Sequence, residues 1–305
     1  MLRLLMIAAL LAGCAGAPPL PELPDSGVEL TATPFHPQEQ YQCGPAALAT
    51  VLESSGVNVS PDALVDQVWL PGRQGSLQLE LVATTRRHGR VAYVLPPSLD
   101  AVIAELTQNR PVLVMQNLGT PRWPVWHFAV VIGFDPDRGR MLLRSGTTER
   151  QEMSLRAFML SWRMAESWAM VALTPGELPA APDRQRYLAS LADLERSGHL
   201  TAAATGYRAW LDARPTDAVA LFGKANSLAA AGEVSAAEEA FRKLLEQRPG
   251  DAAASNNLAR LLLARGCRRE ALEVLDFVPD PAPARLQEAL DATRSEAEAA
   301  TNACR

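Results

Sequence analysis

The chain has no run of lysine or arginine and no basic stripe; its 29 basic residues against 34 acidic ones leave a net charge of −5. The electrostatic footprint of a nucleic-acid-binding protein is therefore missing. Histidine and cysteine are scarce, four of each, and no Cys/His spacing matches a zinc site, so no metal and no other cofactor is implied. Long apolar runs are missing too. The stretch Leu4–Leu11 is too short for a stable membrane span, and nothing resembles a transporter segment. What remains is the composition of a foldable globular protein, 48% hydrophobic and 21% charged. At 305 residues the natural division is into two domains.

The first residues carry an address. Arg3, the apolar stretch and the small residues after it read as a secretory signal. Leu11-Ala12-Gly13-Cys14 resembles the lipobox of bacterial lipoproteins. That resemblance implies removal of residues 1–13, lipidation of Cys14 and a hold on the membrane through acyl chains. Ala15 rather than Asp follows Cys14, which by the same resemblance implies the outer membrane of a bacterial envelope, facing the periplasm. Residues 14–27, with Pro-rich Ala17–Gly27, read as an extended tether. Cys267 and Cys304 are then an even pair in a compartment that permits disulfides, and are candidates to bond to each other.

The first domain, residues 28–175, is organised around Gln38–Glu53, in which Cys43-Gly44-Pro45-Ala46 opens a helix with Leu48, Val51 and Leu52 on its apolar side. Pro45 fits a first turn, where its missing N–H costs nothing. Cys43 at the positive end of a helix, with unpaired N–H groups around it, is expected to favour thiolate. Further on, Ser76 is positioned to cap a helix that Gly89 ends. Val91–Leu95 and Pro111–Leu118 read as strands with a helix over Asp100–Gln108 between them. His127-Phe-Ala-Val-Val-Ile-Gly opens a core strand just after a loop containing Trp123 and Trp126. A turn at Asp135–Gly139 leads into Met141–Arg144, and a helix and a strand (Leu155–Trp162, Met170–Leu173) finish the domain.

A glutamine, a short spacer, Cys-Gly-Pro-Ala and then a His-Phe-Ala-Val-Val-Ile-Gly strand resemble the double-glycine (bacteriocin-processing) cysteine peptidase-like family over about residues 30–175. The resemblance implies an α+β, papain-like fold that acts on a peptide or protein substrate. It gives Cys43 the role of nucleophile and His127 that of its base. Gln38 would share an oxyanion hole with the Cys43 N–H, though Gln40 and Gln42 compete for that role. The sequence departs from the family at the third catalytic position. Relatives carry an acidic residue at the end of the strand after the His strand, where this chain reads Leu143-Arg144-Ser145. Ser145 is the candidate orienter, and Asp135 the alternative. A hydroxyl can fix an imidazole tautomer but cannot supply a full negative charge. A catalytically degenerate, peptide-binding or scaffolding lipoprotein is the competing expectation.

Past a Pro-rich linker, residues 176–183, strand patterns vanish. Gly198, Gly232 and Gly266 are 34 residues apart, as are Ala203, Ala237 and Ala271, and Tyr207, Phe241 and Leu275. This period resembles the tetratricopeptide repeat. It implies an all-α domain over 184–305: units at 184–217, 218–251 and 252–280, a capping helix after them, and a groove for a protein partner.

Overall fold

The structure is a computed structural model that describes residues 20–37, 43–70, 72, 75–279, 283–301 and 303–304. Cys14 and the three candidate glutamines, Gln38, Gln40 and Gln42, lie outside the described residues.

The N-terminal domain is a sheet between two helical layers. Its strands are β1 (Val28–Glu29), β2 (Trp69–Leu70), β3 (Gly75–Ser76), β4 (Val91–Val94), β5 (Val112–Asn117), β6 (Trp126–Asp135), β7 (Arg140–Ser145), β8 (Thr148–Ser154) and β9 (Ala169–Leu173). The β2–β3 pair stands apart; the rest form one antiparallel sheet in the order β4-β9-β5-β6-β7-β8, with β1 on β6 at its Phe134 end. The helices are α1 (Cys43–Ser54), α2 (Pro61–Val68), α3 (Gln78–Arg87), α4 (Leu99–Thr107) and α5 (Leu155–Arg163).

The strand period of two decides which residue serves which layer. Phe128, Val130 and Ile132 join the core made with Leu48 and Leu52 of α1, Leu64 of α2 and Leu81 of α3. Ala129 and Val131 join the opposite core with Val102 and Leu106 of α4 and Phe158 and Trp162 of α5. Side-chain caps at Ser60, Ser98 and Ser154 start α2, α4 and α5. Ser76 does not cap α3, contrary to the expectation from sequence: it sits in β3 opposite Trp69, and Leu77 precedes the helix without a side-chain cap. β8 was not legible in the sequence, because Thr-Glu-Arg-Gln-Glu-Met-Ser has no apolar alternation; backbone pairing with β7 holds it at the sheet edge.

The C-terminal part is a run of helical hairpins: α6 (Arg184–Arg196), α7 (Leu200–Ala213), α8 (Ala218–Ala230), α9 (Val234–Gln247), α10 (Ala252–Ala264), α11 (Arg268–Asp276) and α12 (Ala284–Ala299). Gly198, Gly232 and Gly266 turn the chain at φ of +88°, +83° and +77°, a conformation that favours glycine. Asp183, Asp217 and Asp251, themselves 34 residues apart, each cap the first helix of a unit. Ala203, Ala237 and Ala271 are fully buried where helices meet, and Tyr207, Phe241 and Leu275 fill the core between units. Cys267 and Cys304 form a disulfide that ties the chain's end to the start of α11.

The Pro-rich segment between the two parts is held in place. The Ala180 N–H donates to Glu105 Oε1 at 2.8 Å and the Asp183 N–H to the Tyr93 hydroxyl at 3.2 Å. The rings of Tyr93 and Tyr187 meet edge-on at 6.3 Å, and Arg86 pairs with Asp193. The core on the α4 and α5 side therefore continues without a break into the helical hairpins.

Candidate active site

Cys43 is the first residue of α1 and is half-buried; it is the free cysteine among the described residues. The following residue has to be glycine. A Cβ on Gly44 would come within 2.2 Å of Ser76 Oγ, so β3 packs directly on the helix start. Burial pushes the Cys43 thiol pKa up, against the N–H groups of Phe128, Gly44 and Cys43, which favour thiolate. The helix terminus acts in the expected direction, but desolvation outweighs it.

The Phe128 contact places the Cys43 sulfur beside the residue after His127. β7 pairs with β6 only as far as the Val130–Arg144 rung, so the Cys43 helix start meets β6 where that edge is open. His127 is the second residue of β6, opposite Gln116 of β5. Its Nε2 lies 2.9 Å from Ser145 Oγ at the end of β7. Burial pushes the His127 pKa down, because charged imidazolium loses its hydration there. Ser145 is 9% exposed. The structure therefore brings His127 and Ser145 into hydrogen-bond contact. It does not bring Asp135 there. That residue ends β6, eight residues from His127, or about 27 Å along a strand. Asp135 Oδ1 accepts the Arg138 N–H in the turn instead.

Arg144 is a supporting residue that no sequence motif revealed. Its buried guanidinium donates to the carbonyls of Thr31, Thr33 and Glu149. The lead-in toward Cys43 is thereby tied to the strand that carries Ser145. Behind Phe128, Trp168 stands edge-on at 5.9 Å. The remaining histidines are bonded elsewhere or close a helix. His36 Nε2 meets Glu53 Oε2 at 2.9 Å, His199 Nε2 meets the Arg87 carbonyl at 3.0 Å, and His88 ends α3. Among the described residues, the group with metal-ligand geometry is Cys267, Glu270 and Cys304, and its two sulfurs are bonded to each other.

The sequence profile of the Peptidase_C39 like family matches residues 30–170, and that of the tetratricopeptide repeat matches residues 228–293. Among solved structures, a protein from Bacillus anthracis described as a C39-like peptidase is similar, at 17% identity and a TM-score of 0.41, over 49% of this chain and 98% of the other. The peptidase domain of Streptococcus ComA, a bifunctional ABC transporter of a quorum-sensing pathway, is similar at 21% identity and a TM-score of 0.38, over 46% of this chain and 98% of the other. No curated protein matches the chain. Residues 30–170 thus carry the profile of a Peptidase_C39 like domain, with a tetratricopeptide repeat region behind it.

Proposed function

We propose that the chain is a cysteine peptidase in which Cys43 is the nucleophile, His127 its base and Ser145 the residue that orients the imidazole. The observation that carries this is the meeting of three elements: the Cys43 sulfur at the Phe128 N–H, and His127 Nε2 at 2.9 Å from Ser145 Oγ. With Nε2 donating to Ser145, Nδ1 is left to accept a proton. Burial raises the thiol pKa and lowers that of the imidazole, both in favour of the neutral pair, and in this reading the proton moves during attack rather than before it. Sγ bonds to the peptide carbonyl carbon while Nδ1 takes the thiol proton. The Cys43 N–H, with Gln38 as its partner, stabilises the oxyanion. His127 then protonates the leaving amine, and water resolves the acyl-enzyme.

The same proposal puts the chain on the periplasmic side of an outer membrane, held by lipid on Cys14. The Cys267–Cys304 bond suits such an oxidising compartment. The first helices of successive repeats offer a protein partner a groove of about 460 Å³ lined by Asn226, Asn257 and Arg260.

Ser145 in place of a carboxylate favours a second reading, a peptide-binding scaffold without turnover. One experiment separates the two. Peptides from a digested bacterial proteome are incubated with the full chain, and new termini are sequenced by mass spectrometry. The peptidase reading requires new termini that vanish in both Cys43→Ala and His127→Asn. Retention of peptides without cleavage establishes the scaffold instead.

A further inference from the structure

The helical hairpins meet the N-terminal domain along two sides. One is apolar: Tyr93 of β4 meets Tyr187 of α6 inside the core that runs through both parts. The other is polar, and there the last turn of α3 faces the end of α6 and the turn into α7. Arg86 pairs with Asp193, which Arg196 also engages. His199 Nε2 lies 3.0 Å from the Arg87 carbonyl. A carbonyl only accepts, so that nitrogen carries the hydrogen. The same ring covers Gly89, where a Cβ would lie 3.4 Å from Nδ1.

His88 therefore sits between the carbonyl that His199 reaches and the glycine that it covers. Its Nε2 is buried and has no hydrogen-bond partner among the described residues. A neutral imidazole tolerates this, but an imidazolium must donate from both nitrogens. Burial pushes the His88 pKa down, and the charges of Arg87 and His199 push the same way. The other charged groups nearby are engaged elsewhere. Asp193 is held by Arg86 and Arg196, Arg90 donates to the Ser55 carbonyl at the end of α1, and Glu195 acts on Arg196 and Tyr207. From α2 comes the Gln67 carbonyl, which accepts from Arg87 at 3.2 Å, and β4 opens with apolar Val91 and Ala92.

We propose that this polar side of the joint is an acid-released clasp, with His88 as its sensor. Protonation would place a cation with no acceptor between Arg87 and His199, and parting the two turns would give it water. A group whose pKa is lower in the docked form than in the released one favours release as pH falls. The clasp is at full strength above about pH 6.5, the ordinary histidine value. It weakens as pH falls from there toward the depressed value. Release is local, because the apolar side keeps Tyr93 on Tyr187. None of these residues belongs to the peptidase reading, so the inference stands apart from it.

Hydrogen exchange of the full chain at pH 7 and pH 5, corrected for the intrinsic pH dependence of amide exchange, tests the clasp. Peptides covering residues 84–90 and 196–203 should exchange about threefold or more faster in acid. Peptides from β4 and from Tyr187–Leu191 should not change. His88→Gln should abolish the difference, and His199→Gln should keep most of it. Equal exchange at both pH values, or an acid effect that survives His88→Gln, overturns the proposal. So does acceleration spread evenly over β4 and α6, which marks global acid unfolding. Should the glutamine at 88 itself loosen the turn at pH 7, Arg87→Gln gives the second reading. Loss of that charge should shrink the acid effect, and an undiminished effect overturns the proposal.

Discussion

Ser145 ends β7, and its hydroxyl lies 2.9 Å from His127 Nε2. A neutral orienter leaves the imidazolium without a counter-charge, in keeping with the lowered His127 pKa and the raised Cys43 pKa. Ser145→Asp should reverse both. An opposite charge at this distance moves a pKa by about 1–3 units, so the pH midpoint of Cys43 alkylation should fall by about 1 unit or more. An unchanged midpoint would show that Ser145 does not govern the pair. His127 also predicts an acid sensitivity. Its folded pKa lies below the unfolded value of about 6.5. The unfolded chain thus binds more protons, and stability is full above about pH 6.5 and is lost as pH falls through the unfolded value toward the depressed folded one. Urea midpoints measured from pH 7 to pH 5 should fall more steeply for the wild type than for His127→Asn. Ser76 gives a third prediction. Its buried Oγ has no hydrogen-bond partner among the described residues, so Ser76→Ala should not destabilise and should add about 1 kcal/mol. A loss of stability in chemical denaturation would assign that hydroxyl a structural bond. At this scale Cys43 and His127 were legible because each sits in a local motif. The burial of the thiol was not, since burial belongs to the assembled fold.

Elements were legible where an apolar period or a cap was present. The buried β5 and β6, and α4 before them, follow from the sequence; β8 and the β2–β3 pair do not, being short or polar. Ser76 misled because a serine before a helix resembles a cap even when a strand pairing has claimed it. The repeat helices carry their own predictions. Asp217 caps α8 through the N–H groups of Val219 and Ala220, accepts Trp210 Nε1, and pairs with both Nε and Nη2 of Arg184. Burial pushes its pKa up, but these bonds prevail and hold it at about 2. Its contribution is present above about pH 3.9, the unfolded value, and is lost as pH falls toward the folded one. Asp217→Ala should cost about 2–3 kcal/mol in thermal or urea unfolding at neutral pH. Less than half of that would mean water replaces the aspartate at the helix start.

Across the whole molecule, the division into a peptidase-like part and a repeat part was legible from the change in period at the Pro-rich segment. The rigidity of the join was not. Proline-rich composition suggested a spacer, yet Glu105, Tyr93 and Tyr187 bind that segment into a shared core. Such a core holds the repeat helices at a set position relative to the domain that carries Cys43. The central claim remains that Cys43 and His127 work as a pair. Its most direct test is the rate at which iodoacetamide labels Cys43 at pH 7, located by peptide mass spectrometry, in the wild type and in His127→Asn. General-base assistance contributes about 10²–10⁴-fold to proton transfer in enzymes. The account predicts labelling at least about tenfold faster in the wild type, with a pH midpoint at or above the ordinary thiol value of about 8.5. Equal rates and superimposable pH profiles in the two proteins would contradict it, leaving Cys43 a buried thiol at the head of a helix.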